Sequence, residues 1–61
     1  MKKYRIYKAK AKNENQEFIK ANQLDWQPTN MEYDSYDDAY IHKVDLQVID
    51  EQYYYSIVEE N

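Results

Sequence analysis

The 61-residue sequence predicts a small α+β domain: a two-layer β-α-β-β unit with one helix packed on a three-stranded antiparallel sheet. Three observations point there. Residues 2–12 alternate, with Tyr7, Ala9 and Ala11 on one parity and Lys8, Lys10 and Lys12 on the other. Residues 39–59 alternate on either side of a break at Asp50-Glu51-Gln52, which predicts a hairpin. Between these stretches, residues 14–24 carry apolar side chains at helical spacing behind a capping residue.

The first strand is basic. Tyr4 and Ile6 lie on the parity opposite to Tyr7, Ala9 and Ala11, so a bulge or twist is expected near Ile6 and Tyr7. Lysines along a strand protect an edge from pairing. An acidic neighbour would offset their charge, at roughly 0.2–1 kcal/mol per opposite-charge cross-strand pair.

Asn13 then offers an N-cap, with Gln16 three residues on as in a capping box. Glu14 and Glu17 fall in the first turn, where the helix dipole favours anions. Phe18, Ala21 and Leu24 form the apolar stripe, and Trp26 is expected to pack the helix end against the sheet. Pro28 moves Gln27 out of helical conformation.

Residues 31–38 admit two readings. Ser35 and Asp38 have the spacing of a cap, and Tyr36, Ala39, Tyr40, Lys43 and Val44 follow it at helical intervals. Against this, Tyr40, Val44, Leu46 and Val48 share one parity that only His42 interrupts. The alternation favours an irregular acidic loop followed by a strand. After the turn, Tyr53, Tyr55 and Ile57 face one way, and Tyr54, Ser56 and Val58 the other.

A chain of this length makes one domain, residues 1–61, and buries only about 60% of the surface its unfolded form exposes. It has no cysteine, so neither a disulfide nor a thiolate metal site reinforces it, and a reducing, cytoplasmic setting is expected. Eight tyrosines, one Trp and one Phe can supply a small core or an adhesive surface. The absence of Gly excludes the Gly-based tight hairpins. No apolar run approaches the roughly 18 residues of a membrane span. The chain opens Met-Lys-Lys, but charge continues to Lys12 with no apolar core behind it, unlike a secretory signal.

Charge is segregated. Residues 2–12 hold six cations and no acid, and the rest holds twelve acids against Lys20 and Lys43, for a net charge of −4. Catalysis is poorly supported, because His42 stands alone and a general base needs a positioned partner. Asp34, Asp37, Asp38 and His42 fall within nine residues, but their spacing fits no EF-hand loop, so neither metal nor cofactor is expected. Lys2, Lys3, Arg5, Lys8, Lys10 and Lys12 interleave with Tyr4 and Tyr7, a pattern that suits single-stranded nucleic acid. The acidic balance of so small a domain opposes that reading.

The acidic, tyrosine-studded segment carries the preferred reading. Tyr33, Asp34, Tyr36, Asp37 and Asp38 are the expected protein-binding residues. Carboxylates would steer the chain to a larger protein with a basic surface, and tyrosines would supply rigid contact area. In a groove that normally holds nucleic acid, carboxylates would stand in for phosphates. The plain alternative is a solvated acidic face that aids solubility. In composition the chain resembles the small proteins that bacteriophages and other mobile elements encode against host or defence enzymes, a resemblance that rests on no particular residue. The sequence therefore suggests a non-enzymatic inhibitor of phage-like style. A nucleic-acid-binding module built on the basic strand, and a homo-oligomer or homodimer paired through its sheet edge, are the alternatives.

Overall fold

The computed structural model describes residues 2–61. Four main elements follow one another: β1 (Lys3–Lys10), β2 (Gln27–Tyr33), α1 (Tyr36–Ile49) and β3 (Tyr53–Glu60), with a short 3-10 turn at Ala21–Gln23. The sheet is antiparallel in the order β2-β1-β3, and α1 packs on one face, chiefly over β3. The expected architecture is present: three antiparallel strands and one helix. The order is β-β-α-β, which corrects the expected β-α-β-β.

The change of order has two local causes. At residues 14–24 the expected helix gives way to a tight reversal. The Asn13 side chain behaves as a cap would, accepting from the N–H groups of Asn15 at 2.9 Å and Glu17 at 3.0 Å. Gln16 then turns left-handed, at φ 63°, and the Asn13 N–H donates to the Glu17 carbonyl. Lys12 and Phe18 close the reversal as a bridge, so the chain folds back beside the end of β1. Trp26 therefore has no helix end to pack, and it is partly exposed.

At residues 36–49 the cap reading prevails over the strand reading. The Ser35 hydroxyl accepts from the Asp38 N–H at 3.2 Å, and Asp37 and Asp38 occupy the first turn, where the dipole favours them. Tyr40, Val44 and Val48 are spaced by four, which preserves parity and also preserves a helix face. The same spacing thus satisfies both periods. The break at Asp50-Glu51-Gln52 joins α1 to β3, not strand to strand.

Residues paired across antiparallel strands share a face. Ile6 pairs with Ile57, and Tyr4 with both Glu59 and Tyr33. On this face Tyr4 meets Tyr36 edge-on at 5.9 Å, and Tyr33 stacks on His42 at 4.8 Å. The hydroxyl of Tyr55, also on this face, donates to Asp50 at 3.3 Å. Ile6, Ala9, Ala11, Ala39 and Tyr55 form the core, and among the described residues Ile6 is the one large side chain fully enclosed. β1 and β3 run in unbroken register from Lys3–Glu60 to Lys10–Tyr53. The irregularity expected near Ile6 lies against β2, where the register shifts between Arg5 and Tyr7. Among the described residues, no helix is long and apolar enough to cross a membrane.

Candidate functional site at the β2–α1 junction

The five acidic-aromatic residues sit where β2 ends and α1 begins. Tyr33 closes β2, Ser35 caps the helix, and Tyr36, Asp37 and Asp38 form its first turn. The irregular acidic loop expected here is instead a strand end, a two-residue link and a helix start. These side chains therefore stand on or beside regular, hydrogen-bonded secondary structure.

Tyrosines surround the acids. Tyr36 touches Tyr4 on one side and lies nearly parallel to Tyr40 on the other, at 6.2 Å. Tyr36 is 52% exposed and Tyr40 49%, so the cluster is an accessible aromatic surface. Tyr4 and Tyr40 extend the expected site. Tyr40 already alternates with the acids in sequence, while Tyr4 becomes a neighbour only through tertiary packing.

The acids differ in their surroundings. Asp34 forms an ion pair with Lys3, and that hydrogen bond is the main cause raising the Lys3 pKa above its ordinary value. Asp37 and Asp38 are exposed, and among the described residues no cation pairs with either.

The start of β1 is neutralised by its neighbours. Arg5 holds Glu60 at 3.0 Å and Glu32 at 2.6 Å, and it donates to the Thr29 carbonyl at 2.9 Å. The hydrogen bond to Glu60 is the main influence pushing the Arg5 pKa up. Lys2 pairs with Glu59 at 3.2 Å, and its pKa also rises, first through that hydrogen bond. Further along, Lys8 lies over the Tyr53 ring and Lys12 over the Phe18 ring, each at 4.9 Å. Among the described residues, no carboxylate pairs with Lys8, Lys10 or Lys12. Unpaired anions thus gather at the start of α1, and unpaired cations at the end of β1.

No family model, curated protein or solved structure matches this chain.

His42 stacks on Tyr33, and its Nδ1 lies 3.2 Å from the Asp38 carbonyl oxygen, a contact made within its own helix. Among the described residues there is no cleft, and no group of three or more His, Asp or Glu is placed to hold a metal. What the junction offers chemically is two exposed carboxylates beside stacked phenol rings.

The sequence reading missed a second exposed feature. Ile41, Val48 and Ile49 on α1 are 59%, 74% and 81% exposed. A helical wheel over residues 36–49 would have displayed Ile41 and Val48 together on the face opposite Ala39 and Leu46.

Proposed function

We propose that this protein is a non-enzymatic interaction module that binds a larger protein through Tyr33, Asp34, Tyr36, Asp37 and Asp38. The partner carries a basic groove suited to nucleic acid, and occupation of that groove by carboxylates inhibits it. One observation carries this reading: Asp37 and Asp38 are exposed without a cation among the described residues, on a capped first turn next to the Tyr4–Tyr36–Tyr40 cluster. Preorganised groups lose less freedom on binding than flexible ones. Aromatic side chains beside them supply contact area of the kind that dominates interfaces. Asp34 contributes less, because Lys3 already holds it.

The test compares wild-type protein with the triple variant Asp34→Lys, Asp37→Lys, Asp38→Lys as bait in extracts of the source organism. The expected result is capture of a nucleic-acid-handling protein by the wild type, displaced by duplex DNA and weakened by salt. The variant should lose that protein while keeping its circular dichroism. Equal capture by both baits would reject this surface.

A second reading has its own observation. Lys8 and Lys12 over aromatic rings, with Lys10 between them, form a small cation–aromatic strip suited to single-stranded nucleic acid. Fluorescence anisotropy with labelled oligonucleotides at low salt decides between the two. Binding that vanishes in Lys8→Glu, Lys10→Glu, Lys12→Glu favours the strip.

A further inference from the structure

We infer that β3 is an association edge for a second copy of this chain, and that two copies join across a two-fold axis into one continuous six-stranded sheet. The two free margins of the sheet are built differently. β2 contains Pro28, which lacks a backbone N–H, and its register against β1 is broken. Proline and irregular pairing are the devices by which proteins blunt an edge. β3 has neither: Tyr53–Glu60 runs eight residues with unbroken register and without Pro or Lys. Its outer side has no partner strand among the described residues, which leaves a row of backbone donors and acceptors unpaired.

A second β3 fits this row. Antiparallel pairing centred on Ser56 keeps the faces of both sheets aligned, because partners then share parity. It sets Tyr55 opposite Ile57 of the copy, Tyr54 opposite Val58, and Tyr53 opposite Glu59. Aromatic residues meet β-branched ones, a favourable cross-strand combination, and no like charges meet. Tyr54 and Val58 are 39% and 37% exposed, so the pairing has surface to cover.

The helix layer agrees. α1 lies chiefly over β3, and His42 turns one flank of it toward Tyr33 of β2. Tyr40 and Val44 stand two residues to either side of His42, about 200° round the helix at 3.6 residues per turn. They therefore occupy the flank overlooking the β3 edge, and both are exposed. Across the axis Val44 would meet its own copy above the joined strands, while Tyr40 stays stacked with Tyr36. An eight-residue edge about 27 Å long and two layers deep, at about 10 Å per layer, gives a contact of roughly 500 Å² in projection. That is of the order of the about 800 Å² of accessible surface that a stable interface takes from each partner. A chain in which Ile6 is the one large side chain fully enclosed among the described residues gains most from such an arrangement.

The experiment is sedimentation equilibrium of the full chain over a wide concentration range, paired with the double variant Tyr54→Lys, Val58→Lys. Both changed side chains lie on the face away from α1 and leave the backbone ladder to β1 in place. The wild type should reach twice its 7.5 kDa mass at high concentration and dissociate on dilution. The variant should remain at 7.5 kDa with wild-type circular dichroism. A wild type that stays at 7.5 kDa throughout overturns the inference, as does a variant that dimerises equally well. Should the variant unfold, isotope-filtered NMR of mixed labelled and unlabelled wild type decides. Cross-chain contacts between Tyr55 and Ile57 support the edge, and a dimer without them refutes it.

Discussion

Ser35 shows how much a single small side chain decides in this chain. Its hydroxyl satisfies the Asp38 N–H and fixes where α1 begins, so it also fixes the spacing of Tyr36, Asp37 and Asp38. Ser35→Ala should cost about 1 kcal/mol, the usual worth of an N-cap, read as a lowered melting temperature in far-ultraviolet circular dichroism. Tyr55 decides the behaviour at high pH. Burial first, then the charge and hydrogen bond of Asp50, hold its phenol above the ordinary value of 10.0. A raised folded value means a contribution fully present below about pH 10 and lost as pH climbs through the higher folded value. The raised values of Lys2, Lys3 and Arg5 act in the same direction. Tyr55 should therefore ionise above the ordinary tyrosine value in an ultraviolet titration, as a late step that accompanies the onset of unfolding. Tyr55→Phe should remove that late step, and a late step surviving in the variant would contradict the assignment. Gln16 marks the limit of residue-level reading: nothing in its identity announces a left-handed backbone, which costs a non-glycine residue about 1–2 kcal/mol.

At the scale of elements, β1 and β3 were legible, and α1 was legible only as the less favoured of two readings, for a definite reason. Strand alternation in residues 53–58 has no competing period, and the face it assigns to Tyr53, Tyr55 and Ile57 is the one α1 covers. In residues 40–48 the apolar residues recur mostly every fourth position, so helix and strand predict nearly the same pattern. The capping pair Ser35 and Asp38 was the deciding signal, and it was visible. The helix expected after Asn13 failed for the converse reason: Asn13 caps a turn, which the same side-chain chemistry permits. Substitution separates the two accounts of α1. Val48→Lys should change stability by less than about 0.5 kcal/mol, as expected for an exposed helix position. Leu46→Ala, on the half-buried face, should cost roughly 1–2 kcal/mol in urea denaturation. A strand with both residues on one inner face would make the two losses similar. The candidate site follows the same division: its acids and tyrosines were legible as a cluster, while Tyr4 entered it only through the pairing of β1 with β2.

For the whole molecule, the small core is the governing quantity. The fold measures 41 × 22 × 16 Å, a slab too thin to enclose many side chains. Ile6 stands at its centre, on the middle strand beneath the helix. Ile6→Ala should cost about 2–5 kcal/mol, the range for truncating an enclosed aliphatic side chain. In a domain this size such a loss should leave much of the chain unfolded at room temperature, visible as collapsed amide dispersion in NMR. A well-dispersed spectrum with an unchanged urea midpoint would show that the core lies elsewhere.

The mismatch between the sheet's two margins bears on solubility. A tyrosine-rich ribbon open on both sides could recruit neighbours without end and grow into fibres. With Pro28 and the broken register sealing the far side, growth along the sheet has nowhere to continue once the open side is occupied. A pair joined through β3 would therefore expose only the Pro28-bearing margin, which opposes further growth along the sheet.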